Sequence, residues 1–383
     1  MSDYLGLGIR TVVNAGGAQS RLGGATLSPE VRQAMSRAST AYVDIERLHD
    51  IVARRIATAT RNEAAAVSAG SAAGIMIAVA AVIAGQDPQS AAALPRSTQA
   101  RRDIAVWRAH TTGVLAGADS VHDNGYLNSI AAGGGTVRVM DEPDDIRTGD
   151  AAVLWFPGMY GIPDEDALLR RVTARAAALG IPVIVDAADQ IPPFSRAWQY
   201  TTELGADLVL FSGGKGLRGP TSSGLILGAV DLVAACRANS GTEHGVGRPA
   251  KIGREELLGI MVAVEHAAQR DEDADYAAQE SIVSGWIDRL ASLSPRVHLE
   301  RVPLGHCGQR IPRLVLRLAS GSRACRDGLI DEVWDADPRL AVLPEVRAGI
   351  ALSPQLLVGD EPDYVASVVR QTVATHLDTC GTC

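Results

Sequence analysis

Short apolar runs alternate with helical stretches through the middle of the chain, and this alternation limits the fold more than any other feature. Ile104–Trp107, Thr136–Met140, Ala151–Phe156, Pro182–Asp186 and Asp207–Phe211 read as strands, and Gly125–Ala132 and Asp164–Leu179 as helices. Strands separated this way pair in parallel and carry helices on both faces. Ser222–Leu227 returns after a connection too short for a parallel crossover, so it is expected beside Asp207–Phe211 as an antiparallel neighbour. The expected fold class is α/β, a mostly parallel mixed sheet.

Upstream, Ser28–Leu48 reads as helical, with Pro29 in the first turn behind Ser28 as cap, and another helix runs through Thr60. Ala64–Ser68 is a short strand, followed by a tight Gly70 turn and an apolar helix ending at Ala84. Gln86–Arg102 is polar and carries two prolines, which predicts an exposed loop. Downstream, helical patterns fill Glu255–Leu293, Arg313–Leu318 and Val346–Leu352 read as strands, and Glu361–His376 is a closing helix. These elements predict an N-terminal arm and helix at residues 1–55, a large domain at 56–250 and a smaller α+β C-terminal domain at 251–383.

The formal charge is −8 and no Lys/Arg-rich run occurs, which argues against a nucleic-acid partner. The most apolar stretch, Gly74–Gly85, is too short to span a bilayer. The first residues lack the basic and apolar regions of a signal peptide, so a cytoplasmic protein is expected. The cysteines, 236, 307, 325, 380 and 383, are odd in number and scattered, which predicts no disulfide framework. Cys380 and Cys383 have CxxC spacing, but no second half-site completes a zinc set, so a solvated, frayed tail and no metal are expected.

Of 36 basic residues only Lys215 and Lys251 are lysine. Lys215 sits in Ser212-Gly213-Gly214-Lys215-Gly216-Leu217-Arg218-Gly219-Pro220, directly after a buried strand, where α/β sheets bind ligands. A P-loop is ruled out, because Gly216 stands where Ser or Thr is required. A partly buried lysine beside a cationic ring suits a Schiff base with pyridoxal phosphate (PLP), against the plainer reading of an exposed loop lysine. Val183-Ile184-Val185-Asp186 ends a strand in a carboxylate that can face the pyridine nitrogen of that cofactor; Asp189 is the weaker candidate. Taken alone, a strand-end Asp is more often a helix cap or a metal ligand. Gly70-Ser71-Ala72 opens a helix after a strand, where free N–H groups favour a phosphate, and Ser212 offers a second hydroxyl. The Gly70 turn does not have the GxGxxG spacing of a dinucleotide site, and no GxSxG or HExxH pattern supports a hydrolase.

With these residues in place the chain resembles, over nearly its whole length, the fold-type-I PLP proteins of aspartate-aminotransferase architecture that include selenocysteine synthase and the D-glucosaminate-6-phosphate ammonia-lyases. The resemblance rests on Val13-Asn14-Ala15-Gly16-Gly17, Ser20-Arg21-Leu22-Gly23-Gly24, Tyr42-Val43-Asp44, Ser68 to Gly74, Val185-Asp186-Ala187-Ala188, the Lys215 loop, Gly247 to Lys251 and Gly253-Arg254-Glu255-Glu256. It implies Lys215 as the Schiff-base lysine, Asp186 at the pyridine nitrogen, phosphate contacts from Gly70, Ser71 and Ala72, and a homodimer or larger ring. Arg21 and Arg218 are the expected substrate contacts. Two departures stand out. An insertion separates Trp107-Arg108-Ala109-His110 from Asn124-Gly125-Tyr126 and brings in His122, so either histidine could stack on the ring. Thr221-Ser222-Ser223 stands where the family commonly has Gln before the serines.

The resemblance extends to PLP-dependent monooxygenase-deaminases of the capuramycin type, and the changes around the ring favour that branch. The expected activity is deamination of a polar, non-proteinogenic amino acid such as a glycyl-nucleoside, through an α-carbanion that dioxygen oxidises. An α,β-eliminating ammonia-lyase acting on an amino-sugar acid is the alternative, and a non-catalytic PLP-binding protein is the reading from another class.

Overall fold

The structure is a computed structural model and describes residues 4–96, 101–113, 122–241, 245–293, 295–319, 321–345 and 348–379. The described residues divide into two compact units, one formed by 20–113 with 122–270 and the other by 4–19 with 271–379.

The larger unit is built on a seven-stranded sheet in the order Ala64–Ser68, Gly224–Gly228, Leu208–Ser212, Val183–Asp186, Asp150–Trp155, Asp103–Trp107, Thr136–Met140. Gly224–Gly228 runs antiparallel to both neighbours, and every other pairing is parallel. The antiparallel return thus lies where the short connection requires. The strands at 150–155 and 183–186 are buried at every position, as expected where helices cover both faces of a parallel sheet. Helix Ser71–Ala84 buries nine of its fourteen residues and presents no polar face, so it can only be an interior helix.

Two expectations are corrected here. The stretch Ser28–Leu48 is not continuous: Ser28 caps a helix over Pro29–Ala38, and a second helix, Ile45–Ala59, starts where the Asp44 side chain accepts from the Arg47 N–H. A cap satisfies a free N–H of the first turn, and Asp44 therefore restarts the helix that residues 39–43 interrupt. Within Gln86–Arg102, Asp87 caps a short helix Pro88–Ala93, whose Ala91 is buried together with Leu94. Pro88 is tolerated there because a first-turn position needs no N–H donor.

The smaller unit is a four-stranded antiparallel sheet in the order Val297–Val302, Arg313–Leu318, Gly349–Leu352, Leu343–Glu345, with helices Glu272–Leu290, Arg323–Trp334 and Glu361–Thr379 packed in its core. The start of the expected strand at Val346 lies outside the described residues. The N-terminal strand Val12–Asn14 pairs in parallel with Arg339–Ala341, so the first residues belong to the same unit as the last helix. Cys325 is disulfide-bonded, a single bridge where the scattered cysteines predicted no disulfide framework, while Cys236 and Cys307 are buried thiols outside any bridge. No helix among the described residues is long and apolar enough to cross a membrane.

Candidate active site

Four strands of the large sheet end near the residues singled out by the sequence. Asp186 closes Val183–Asp186, Lys215 follows Leu208–Ser212, Ser71 follows Ala64–Ser68, and His110 follows Asp103–Trp107. All four therefore sit at carboxyl ends, where the crevices of open α/β sheets lie.

Asp186 is buried, and the Ser71 hydroxyl donates to its Oδ1. Burial pushes the Asp186 carboxyl above its ordinary range, while Ser71, the Lys215 charge and the Ala188 N–H pull it back. A carboxyl in that state is suited to share a proton with a basic ring nitrogen. Gly224 explains how Ser71 reaches it. The strand of Gly224 lies between those of Ser68 and Ser212, and a Cβ there would stand 2.7 Å from the Gly70 carbonyl carbon and 2.8 Å from Ser68 Oγ. With no side chain in the way, the Gly70 turn closes over the sheet. Gly70 itself has φ +99, a left-handed value natural to glycine, and caps its helix with no side-chain hydrogen bond. The first N–H groups of that buried helix thus suit an anion.

The Lys215 loop is held by backbone hydrogen bonds on all sides. Gly213 N–H donates to Ser223 O at 2.8 Å, Gly219 N–H to Gly213 O at 2.8 Å, and Ala25 N–H to Gly214 O at 2.8 Å. A Cβ at Gly216 would collide with the Ile191 carbonyl, so only glycine fits. Lys215 is a quarter exposed, and its Nζ lies 3.9 Å from Asp189 Oδ2. The structure thus places Asp189, the weaker candidate for the ring nitrogen, at the lysine amine, and puts Asp186 with Ser71.

The Thr221 hydroxyl donates to the Gly23 carbonyl, tying the Arg21–Gly24 segment to the lysine loop of the same chain. Arg21 is exposed on the turn Ser20–Leu22, and Arg218, with φ 55, brings its guanidinium to 3.5 Å from Thr26 Oγ1. Ser212 is half-buried, and its N–H donates to Ala188 O at 3.2 Å.

His110 has no exposed surface. Its ring meets Trp155 edge-on at 4.5 Å and Tyr160 at 4.8 Å, and its Nδ1 accepts from the Phe156 N–H at 3.4 Å. Burial drives its pKa down to about 3, so the approach of its Nε2 to Glu165 Oε1 at 4.0 Å joins no charged pair at neutral pH. Asn124 supports this box, donating to the His110 carbonyl at 3.0 Å and to the Tyr160 hydroxyl at 3.1 Å. The backbone of His122 pairs with Gly113, but its side chain lies outside the described residues. The sequence did not single out Gly224, Glu165 or Tyr160; of these only Gly224, a glycine opening a buried strand, left a visible signal.

These residues fit PLP: an anion-ready helix start, a buried acid and a lysine lie on adjoining strand ends of one sheet. No protein-family model matches the chain. Among curated proteins, it is 34% identical over 99% of its length to a 5′-C-glycyluridine monooxygenase-decarboxylase from a Streptomyces species, covering 93% of that protein. It is 31% identical over 77% of its length to a D-glucosaminate-6-phosphate ammonia lyase of Salmonella typhimurium, covering 76% of it. Among solved structures it superposes on a D-glucosaminate-6-phosphate ammonia-lyase with TM-score 0.77 at 24% identity, over 99% of this chain and 100% of that one. A serine palmitoyltransferase from S. paucimobilis with bound PLP gives TM-score 0.62 at 12% identity, over 96% and 89%. These likenesses, with the lysine and the buried acid on adjoining strands, place the chain as a PLP-dependent enzyme in the fold-type-I family that holds the glycyluridine monooxygenase-decarboxylase and the glucosaminate-phosphate ammonia-lyase.

Proposed function

We propose that this enzyme oxidises the α-carbon of a polar, non-proteinogenic amino acid of the glycyl-nucleoside type with dioxygen. The observation that carries the reading is the 34% identity over 99% of the chain to a protein named as a monooxygenase-decarboxylase. Bound PLP supplies an electron sink for the pair left on the α-carbon when a substituent departs.

The chain's own residues have four tasks. The N–H groups at the start of helix Ser71–Ala84 hold the phosphate, Asp186 holds a proton at the ring nitrogen, and the Ser71 hydroxyl keeps the Asp186 carboxyl aimed. Lys215 Nζ would hold the cofactor, and Asp189 Oδ2, 3.9 Å from that nitrogen, would face the amine whenever it carries a proton. Arg218, within the lysine loop, and Arg21, on the segment that Thr221 ties to it, are the candidates for the substrate carboxylate.

The sequence alone points to loss of nitrogen by an oxygen-dependent deamination, with elimination as the alternative. The relative's name calls for loss of the carboxyl group instead, and the balance can be written. The C–H and C–carboxyl bonds of the α-carbon give up two electron pairs to dioxygen. One oxygen atom becomes a carboxamide oxygen, the other leaves as water, the carboxyl leaves as carbon dioxide, and the amine nitrogen stays as the amide. The test is turnover of 5′-C-glycyluridine with oxygen uptake, carbon dioxide and ammonia all recorded. One oxygen consumed and one carbon dioxide formed per carboxamide, with isotope from labelled dioxygen in the product, supports the proposal. Ammonia and a keto acid formed under nitrogen from D-glucosaminate 6-phosphate would replace it with the eliminating lyase, which the 31% identity to the Salmonella protein favours.

A further inference from the structure

Three buried polar atoms of the large unit have no partner within hydrogen-bond reach among the described residues: His110 Nε2, Trp155 Nε1 and Glu165 Oε1. His110 and Trp155 have no exposed surface, and the Glu165 side chain is 18% exposed. The three lie together. The His110 ring meets Trp155 edge-on at 4.5 Å, His110 Nε2 stands 4.0 Å from Glu165 Oε1, and the Trp155 indole faces the same carboxyl. Buried polar groups left without a partner cost stability and native interiors hold few, so three converging on one spot point to a ligand.

The bonds around them fix which atoms donate. A backbone N–H can only donate, so His110 Nδ1, 3.4 Å from the Phe156 N, is the acceptor, and the proton of the neutral ring sits on Nε2. Trp155 Nε1 can only donate. Glu165 Oε2 accepts from the Gly158 N–H at 2.8 Å, which leaves Oε1 to accept from the enclosed side. Two donors and one acceptor therefore face one another. A cation would meet two N–H groups, and an anion would meet the carboxylate. Water matches all three, accepting twice and donating once. The span agrees: 4.0 Å is too long for a direct bond between His110 and Glu165, whereas two bonds of about 2.8 Å to one water oxygen bridge about 4–4.6 Å.

We propose that His110, Trp155 and Glu165 bind one internal water molecule, and that Glu165 acts through it as a positioning residue for the segment Phe156–Gly158. The same two side chains hold that segment directly, His110 at the Phe156 N–H and Glu165 at the Gly158 N–H. On its other side the Pro157 carbonyl accepts from Gln190 Nε2 at 3.3 Å, and the Gln190 N–H donates to Ala187 O at 3.0 Å. The segment is thus clamped between the water site and the turn that follows Asp186. Burial pushes the Glu165 carboxyl above its ordinary range, and the Gly158 N–H and the Trp155 indole pull it back. A water donating to Oε1 adds to that pull. The clamp is the same whichever reaction the site performs.

The experiment uses the full-length holoenzyme with 15N-labelled tryptophan. Of the five indole N–H signals, the one that disappears in Trp155→Phe should show a cross-peak to a long-lived water. Glu165→Gln keeps the shape but places a donor where the water needs an acceptor, and there the cross-peak should vanish. Amide exchange at residues 156–158, read by mass spectrometry, should be roughly ten-fold faster in that variant, with the yellow cofactor band retained as the sign of an intact fold. The wild-type cross-peak is read without any variant, so misfolding of Glu165→Gln leaves the central claim open to refutation. A Trp155 indole that shows no water in the wild-type protein, a cross-peak that persists in Glu165→Gln, or unchanged exchange at 156–158 would each overturn the proposal.

Discussion

The Ser71 hydroxyl donates to the buried Asp186 carboxylate, joining the helix that opens toward a phosphate to the acid proposed for the ring nitrogen. Removing either end should act on both. Asp186→Ala is expected to retain cofactor through Lys215 and the helix start but to lose at least about a hundred-fold in kcat. Ser71→Ala should cost less, and the double variant should be little worse than Asp186→Ala, since residues in one network are not additive. Steady-state kinetics of the four proteins decide; near-normal activity of Asp186→Ala would move the role elsewhere.

Lys215 should be the residue that carries PLP. Borohydride treatment of the yellow enzyme, followed by peptide mapping, is expected to put the cofactor's mass on the Ser212–Arg218 segment and none on Lys251. Lys215→Ala should lose the visible band and the activity. The chain has no third lysine, so the mapping has only these two outcomes to separate.

His110 gives a prediction about acid. Its pKa is about 3 in the fold against 6.5 when exposed, so the neutral form is favoured in the native state. A depressed pKa stabilises the fold above about pH 6.5, and that stability is lost as pH falls toward 3. His110→Asn should therefore lose less stability than wild type between pH 6.5 and 4, by roughly 2–3 kcal/mol at most, since a tenfold change in proton affinity is worth about 1.4 kcal/mol. Urea unfolding at a series of pH values measures this, and parallel curves for the two proteins would rule it out. His49, also buried and lowered to about 4, remains in both proteins and cancels.

Tyr42 is 97% exposed and Val43 is 52% exposed, beside the break that Asp44 caps. An apolar pair left in water inside a segment that the resemblance marks fits a surface that a second copy covers. Sedimentation is expected to show a homodimer or larger assembly, and Tyr42→Glu should shift it toward monomer. An active monomer at assay concentration is the contrary result.

Much of the fold is legible in the sequence, because strand and helix periods are local properties of the chain. The strands at 183–186 and 208–212, the antiparallel return at 224–228 and the cap at Ser28 follow from spacing and residue type alone. The break between Ala38 and Ile45 is hidden because residues 39–43 carry no glycine or proline and only the Asp44 cap marks it. Long-range choices are hidden as well. Whether Asp186 or Asp189 meets Ser71 depends on side chains whose positions are set by strands far apart in sequence, and the enclosure of His110 by Trp155 and Tyr160 likewise joins distant segments. The bridge at Cys325 defeats counting, since an odd cysteine total is compatible with one closed pair.

The glycine-packed loop around Lys215 works as a fixed post. Gly216 is pressed against the Ile191 carbonyl, and Gly213 and Gly214 are held by Ser223 and Ala25. The backbone there has no room to follow its ligand, so all travel of the amine comes from the four methylenes of the side chain. The reach of that arm, from Asp189 at one end of its swing to the cofactor at the other, sets the largest distance over which this enzyme can release and recapture what it carries.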